Sequence, residues 1–331
     1  MSPVVAVVGA TGVVGREMLR TLERRQFRTQ RVVVLASERS VGKRLPFRDG
    51  ELSVELLTPD AFSGVDIALF SAGGSTSREF APRAAAAGAV VIDNSSAWRL
   101  DPDCPLVVPE VNAAAIQKRP KGIIANPNCS TIQMMVAVKP LHDAARIRHI
   151  VVSTYQATSG KGQAALEELR EQTRAVAAGE TPSVQVFPKQ IYGNVLSDWP
   201  AGRDGYSEEE LKMVNETRKI LGDESIGVTP TCVRVPVERG HSESIHLQFH
   251  RPMKRAEALE LLRAAPGVKL FEEDYRPGGE PTPVEAADTE ATYVGRVRDD
   301  LAVRGAINLW VVADNLAKGA ALNAVQIAEL L

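Results

Sequence analysis

The chain has 331 residues, more than one ordinary compact core needs, and suits two folded domains. Hydrophobic residues at 44% and charged residues at 24% are close to globular averages, so no long disordered tail is expected. Lys and Arg total 39 against 41 for Asp and Glu, and the resulting net charge of -2 offers no broad cationic field, which argues against a nucleic-acid partner.

The first predicted element is Val4–Val8, an unbroken β-branched and apolar run that suits a strand buried on both faces of a parallel sheet. It lacks a basic flank and a small-residue cleavage site and is too short to cross a bilayer, so it reads as a strand and not as a leader or membrane anchor. The run leads into Gly9-Ala10-Thr11-Gly12-Val13-Val14-Gly15, after which Glu17, Met18, Leu19, Leu22 and Glu23 keep helical spacing. Glycines in such a turn let the backbone approach a pyrophosphate, and N–H groups at the helix start face its charge. The spacing is G-x-x-G-x-x-G and not the commoner G-x-G-x-x-G, and a tight turn without a ligand would use the same residues.

A second strand, Arg31–Ala36, ends in Ser37-Glu38-Arg39-Ser40. Glu38 could meet the ribose hydroxyls of NAD. Arg39 between two serines suits the 2′-phosphate of NADP better, because a guanidinium and hydroxyls bind the dianion that a carboxylate repels. A strand at 66–71, Gly73-Gly74, a helix at 75–87 and a strand at 89–93 continue the alternation of a Rossmann-type, doubly wound α/β sheet.

Ile123–Ala125 is a short strand that ends in Asn126-Pro127-Asn128-Cys129-Ser130-Thr131, and Met134, Met135, Val138 and Leu141 then keep helical spacing. Cys129 therefore falls at a helix start, where N–H groups and the macrodipole stabilise a thiolate. An isolated cysteine can equally be a small buried hydrophobe. The Asn-Pro-Asn lead-in and a dinucleotide turn in the same chain favour the nucleophile. A thiolate paired with a nicotinamide implies that sulfur adds to an aldehyde, hydride leaves to the cofactor and a thioester remains. Cysteines at 104, 129 and 232 are odd in number and widely spaced, giving neither a disulfide framework nor a metal site, and a reducing, cytoplasmic home is expected.

Beyond this point the rhythm changes. A long strand at 150–158, helices at 163–178 and 207–221, and strands at 229–235, 244–250 and 293–297 predict an α+β domain with a mixed sheet. The segment 315–331 has helical spacing and is expected to pack back on the first domain. His142, His149, His246 and His250 lie on predicted helix or strand or in a basic turn, where each has a structural explanation. His241 is read as part of a connection between strands that presents the imidazole to solvent, either as a base or as a structural residue.

With GATGVVG at 9–15, SSAWR at 95–99, NPNCST at 126–131, YQATSGKG at 155–162, EELK at 209–212, RVPVERGHSE at 234–243 and DNLAKGAALNAVQIAE at 314–329, the chain resembles the bacterial aspartate-semialdehyde dehydrogenases over essentially its whole length. The resemblance implies reversible NADPH-dependent reduction of aspartyl phosphate to aspartate semialdehyde and phosphate, feeding lysine (through diaminopimelate), methionine and threonine synthesis, by a homodimer. It implies Cys129 as nucleophile, His241 as acid/base and Gln156 at the acyl carbonyl. Arg234 would clamp the α-carboxylate, Glu209 and Lys212 would meet the ammonium and phosphate, and Arg99 would be a second phosphate cation. Gly9 and Thr11 to Val14, including Gly12 and Val13, would line the pyrophosphate, with Arg39 and Ser40 at the 2′-phosphate, Ser159 and Gly160 near the nicotinamide, and Asn315. Ala317 departs from the arginine expected there, putting helix capping or a surface contact in doubt. The expected domains are 1–127, completed by 315–331, for NADP, and 128–314 for catalysis and dimerisation. N-acetyl-glutamyl-phosphate reductase or another phosphorylating aldehyde dehydrogenase, and a non-catalytic NADP sensor, are the alternatives.

Overall fold

The computed structural model describes residues 2–271 and 274–331. Two compact units emerge, Met1–Asn128 with Ala320–Leu331, and Cys129–Gly319.

The first unit holds β1 (Val4–Val8), β2 (Arg31–Ala36), β3 (Arg44–Phe47), β4 (Gly50–Ser53), β5 (Glu55–Leu56), β6 (Ile67–Phe70), β7 (Val90–Asp93) and β8 (Ile123–Ala125). Six of them form a wholly parallel sheet in the order β5-β2-β1-β6-β7-β8, and β3 and β4 form a separate antiparallel hairpin. Both faces of β1 are covered: Val5 and Val7 pack with Met18, Leu22 and Val325, while Ala6 and Val8 pack with Phe62 and Phe70. This two-sided burial is why the strand is apolar without alternation. The helices are α1 (Val13–Arg24), α2 (Gly74–Ala86) and the short α3 (Pro109–Asn112). The C-terminal helix, Leu322–Glu329, packs on α1 and puts Ala324, Val325, Ile327 and Ala328 into the same core. Since β1 leads to β2 on one side and β6 to β7 on the other, the strand order reverses between β1 and β6. In open α/β sheets, ligands bind at such a point, beyond the carboxyl ends of the strands.

The second unit runs α4 (Cys129–Ala145), β9 (Ile147–Gln156), α5 (Gln163–Ala177), α6 (Glu208–Leu221), β10 (Gly227–Arg234), β11 (His241–Phe249), α7 (Arg255–Ala264), β12 (Val268–Leu270), α8 (Pro283–Ala286), β13 (Thr292–Asp299) and β14 (Ile307–Ala313). Its sheet has the order β10-β9-β11-β14-β13-β12 and is mixed, with β10–β9 and β12–β13 parallel and the other pairs antiparallel. Along β9 the residues Ile150, Val152, Thr154 and Gln156 are buried, and the intervening Val151, Ser153 and Tyr155 are more open. That period of two marks a sheet covered more fully on one face. The covering element is α4, which contacts β9, β11, β13 and β14 and is buried on nearly every side. Ser207 and Glu210 form a capping box that starts α6, and Gly222 ends it in the left-handed region. Among the described residues no helix is long and apolar enough to cross a membrane, and no cluster of side chains could hold a metal ion.

Candidate active site

In the first unit the turn after β1 lies at the reversal of strand order. Gly9 has φ +81, and a Cβ there would sit 2.8 Å from Ser71 O; a Cβ on Gly15 would sit 2.3 Å from Gly9 O. These two glycines are demanded by the turn and by helix–strand packing. Gly12 is different. Its φ of -74 suits any residue, and an added Cβ would meet only Gly9 O, at 3.3 Å. Its bare backbone faces a cleft of about 510 Å³ lined also by Thr11, Arg39, Ser40, Thr76 and Phe80. The first turn of α1 has no side-chain cap and no acidic residue, which leaves the positive end of its dipole available to an anion. The Thr11 and Ser40 hydroxyls are 3.4 Å apart, Arg39 is exposed, and Glu38 lines the same cleft. The residues present thus fit a dinucleotide. Arg99, also in this unit, is buried and donates to the backbone oxygens of Asn126 (2.9 Å) and Asn94 (3.1 Å). Asn126 is itself fixed by Asn323, whose Nδ2 donates to its Oδ1 at 2.7 Å, which steadies the lead-in to Cys129.

In the second unit, three neighbouring strands bring distant residues into one row. Arg234 pairs with Gln156, and Ser242 pairs with Tyr155, so one further step of register sets His241 beside Gln156. All three side chains lie on the buried face. His241 does not lie in a presented connection, as its sequence context implies: it is the first residue of β11, paired with Ala313, and is 0% exposed. The turn that makes this possible is at Gly240, where φ is +95 and a Cβ would be 2.8 Å from Pro283.

Ala157 holds this row together through its backbone. Its N–H donates to His241 Nδ1 at 2.9 Å, and its carbonyl accepts from Arg234 at 2.9 Å. Because Nδ1 faces a donor, the proton of the neutral ring resides on Nε2. That nitrogen is buried and makes no hydrogen bond among the described residues. Burial, and next the Arg234 charge, push the His241 pKa well below its ordinary value, against a smaller opposing effect of the Gly240 backbone. Gly160 lies directly against the pair: a Cβ there would be 3.0 Å from Arg234 Nη1 and 3.2 Å from His241 Nε2.

Gln156 donates to Thr154 Oγ1 (3.3 Å) and to Glu209 Oε1 (3.2 Å), and Glu209 Oε2 accepts from Lys212 at 3.1 Å. The 209–212 pair therefore forms, but with Glu209 buried and Lys212 partly open, not as a surface pair. Asn315 donates to Ser159 Oγ at 3.0 Å and accepts from Gly240 N–H at 2.8 Å, so the expected cofactor residues Ser159 and Asn315 also pin the turn before His241.

Cys129 begins α4 and is half-buried. One turn along, Gln133 reaches the His241 carbonyl at 3.4 Å, linking the cysteine's helix to the histidine's strand. Sequence reasoning missed Gly319, where a Cβ would sit 2.8 Å from Cys129 Cβ. It belongs to a wide π-helical turn, Ala317–Ala321, that precedes the C-terminal helix. Ala317 itself is fully buried, with its N–H bound to Asp314 Oδ1 at 3.0 Å; the departure at this position costs neither a cap nor a surface contact. Glycine within DNLAKG was the available signal for Gly319, but Ala157 acts through backbone and left none.

Two family descriptions match the chain: "Semialdehyde dehydrogenase, NAD binding domain" over residues 4–119 and "Semialdehyde dehydrogenase, dimerisation domain" over residues 138–318. The aspartate-semialdehyde dehydrogenase of Aquifex aeolicus is 54% identical over 331 residues, covering 99% of this chain and 97% of its own. The crystal structure of aspartate semialdehyde dehydrogenase II from Vibrio cholerae, complexed with ASA, superposes with a TM-score of 0.97 at 48% identity over 100% of this chain and 98% of that one. The Candida albicans enzyme with NADP gives 0.78 at 25% identity over 100% and 98%. With its parallel dinucleotide-binding sheet and mixed second sheet, the chain belongs to the aspartate-semialdehyde dehydrogenase family, bacterial type.

Proposed function

We propose that the protein reduces L-aspartyl 4-phosphate to L-aspartate 4-semialdehyde reversibly, with NADPH as cofactor and the aspartyl group carried as a thioester on Cys129. Aspartate-semialdehyde dehydrogenase activity belongs to the biosynthesis of the aspartate family of amino acids. The observation that carries the detailed reading is the row of Arg234, Gln156 and His241, with an unpartnered Nε2 at its end.

In the reductive direction the Cys129 thiolate attacks the acyl carbon, the C–O bond to phosphate breaks and phosphate leaves with the electron pair. When bound, the reduced nicotinamide supplies the hydride that turns the thioester into a thiohemiacetal. Collapse of that adduct releases the aldehyde and restores the thiolate. His241 serves as the acid/base group; the Ala157 N–H on Nδ1 and the unpartnered Nε2 support the donor half of that role, in which Nε2–H donates to the oxygen that gains charge. Gln156 is held by Thr154 and Glu209 to orient the acyl group. Arg234 takes the α-carboxylate, Glu209 the ammonium, and Lys212 and Arg99 the phosphate.

The preference for NADP over NAD rests on exposed Arg39 beside Ser40, and the solved Candida albicans relative holds NADP. Gly9, Thr11, Gly12, Val13 and Val14 take the pyrophosphate, Ser159 and Gly160 lie on the nicotinamide side, and Asn315 completes the cofactor set. The first unit is the NADP-binding domain and the second the catalytic domain. The second unit also dimerises, in keeping with the family description, through the open sheet face where Tyr155 and Trp310 stand with ring centroids 5.5 Å apart. A cytoplasmic enzyme is the corresponding location.

The test is phosphate-dependent reduction of NADP with aspartate semialdehyde. Cys129→Ala should lower turnover by at least about 10⁴-fold while NADP binding and circular dichroism persist. Near-normal turnover in that variant would sink the thioester mechanism. Equal turnover with N-acetyl-glutamate semialdehyde would move the substrate assignment to the reductase alternative.

A further inference from the structure

We propose that Asp198, together with Trp199, is a positioning residue that fixes the Arg234 guanidinium for the substrate's carboxylate and so sets affinity for the amino-acid end of the substrate. The inference rests on the carboxylate-binding role given to Arg234 above.

Arg234 is the last residue of β10 and only 3% exposed. A guanidinium so far from water needs compensation, and a single carbonyl, that of Ala157, supplies too little. The rest comes from the loop that precedes α6. Trp199 lies beneath the guanidinium, with its ring centroid 4.6 Å from Arg234 Cζ. Asp198, its side chain fully buried, sets Oδ1 3.4 Å from Arg234 Nε.

Asp198 does not depend on the arginine's side chain for its own place. Its other oxygen, Oδ2, accepts from Lys161 Nζ at 2.9 Å. Two residues earlier, Leu196 exchanges both backbone hydrogen bonds with Arg234, at 3.0 and 2.6 Å. Lys161 follows Gly160, whose backbone abuts Arg234 Nη1. The carboxylate is thus a fixed support, anchored from two sides. The Asp198–Arg234 contact is close enough to balance charge but makes no well-aligned hydrogen bond at Nε or Oδ1. Asp198 therefore steers the guanidinium without locking that edge.

A planar donor fork discriminates only if its plane is set before the ligand arrives, and small misplacement of a positioning group is expensive in rate or affinity. Trp199 supports one face of the fork, and Asp198 biases its rotation through charge. Neither residue touches the reacting carbon in this scheme.

The experiment compares two aldehydes in the phosphate-dependent assay, aspartate semialdehyde and 3-aminopropanal, which is the same molecule without the carboxylate. Asp198→Asn should raise KM for aspartate semialdehyde by about 10–50-fold and change kcat by less than about threefold. With 3-aminopropanal, kcat/KM should move by less than about twofold, because the group that Arg234 serves is missing. Asp198→Glu should recover part of the lost affinity, and it carries the same comparison if the Asn variant fails to fold. An unchanged KM overturns the proposal. A lowered KM overturns it too, because Asp198 would then be competing with the substrate for Arg234. Equal losses with both aldehydes would make Asp198 merely structural and also overturn it. Arg234→Lys separates the premise from the inference. A carboxylate-selective loss in that variant without one in Asp198→Asn rejects the inference alone, and no selective loss in either variant rejects both.

Discussion

The glycine turn of the first unit and the strand ends of the second prepare for charged ligands in opposite ways. Around the turn, Gly12 and Arg39 are exposed, and the groups proposed to take an anion are backbone N–H groups and an exposed side chain at the surface of a cleft. At the ends of β9, β10 and β11, Gln156, Arg234 and His241 are at most 3% exposed and are fixed by Ala157, Glu209 and Asp198. The first arrangement needs no partner until a ligand supplies one. The second has met most of the desolvation cost during folding and has left Nε2 of His241 waiting. Changes in the turn should therefore act on cofactor affinity, whereas changes in the row should act on rate at His241, on substrate affinity at Arg234, and through a few rigid contacts on stability.

The largest expected effect that sharpens this contrast is at His241. His241→Ala should reduce kcat by roughly 10³–10⁴-fold and His241→Asn by about 10²-fold, since the amide retains an N–H donor. KM should change little in either. The ring is held neutral by burial and by Arg234, so protonation of His241 should not limit the rate near its ordinary value. In the wild type the acid limb of kcat should lie well below pH 6.5. A limb near 6.5 that disappears in His241→Asn would show that the ring gains its proton in the ordinary range and would refute the neutral-donor assignment.

A smaller effect is expected at Gly319. Any side chain there collides with Cys129, and about 1 Å of displacement of a reacting group is worth about 10²-fold in rate. Gly319→Ala should lose that much in kcat, with NADP affinity in the first unit unchanged. Alkylation of Cys129 by iodoacetamide, followed by mass spectrometry, would show whether the thiol has moved out of reach. Unaltered kcat would mean that the turn yields at no cost to the cysteine.

The same contrast explains what could be read from the sequence. The two-sided strand β1, the glycine turn and the start of α4 at Cys129 depend on neighbours within a few residues, and they are plain in the order of residues. The row is not. His241 and Arg234 reach Ala157 across 84 and 77 residues, and their facing is decided by register, which the sequence leaves open. A reading of 234–243 as a connection put His241 in solvent, because Pro236, Gly240 and four charged residues dominate the composition there. The strand in fact starts at His241, since pairing to β14 overrides that local signal. The β3–β4 hairpin went unseen for a related reason: it has two four-residue strands, one containing Pro46 and the other largely exposed. The π-helical turn at 317–321 has the same spacing of small residues as an ordinary helix, and nothing in the letters marks its extra width.

The smallest predicted effect concerns stability beneath the row. Glu243 lies two residues beyond His241 on the same face of β11, is fully buried, and among the described residues has no hydrogen bond closing on either carboxyl oxygen, although the nearby Gln133 amide favours its charged form. Burial dominates and raises its pKa well above the ordinary 4.5, so the native protein holds a proton there that the unfolded chain releases. The stabilisation linked to that proton is complete below pH 4.5 and is lost as pH rises toward the native pKa. Glu243→Gln keeps the shape and removes the titration, so it should raise Tm at pH 8 and give a shrinking advantage toward pH 5. Each 1 kcal/mol recovered corresponds to about 2–4 °C in a unit of this size. Thermal unfolding of both proteins between pH 5 and 8 measures the difference. A variant that melts lower by the same amount at every pH would show that Glu243 is needed for its contacts and that its proton carries no linkage.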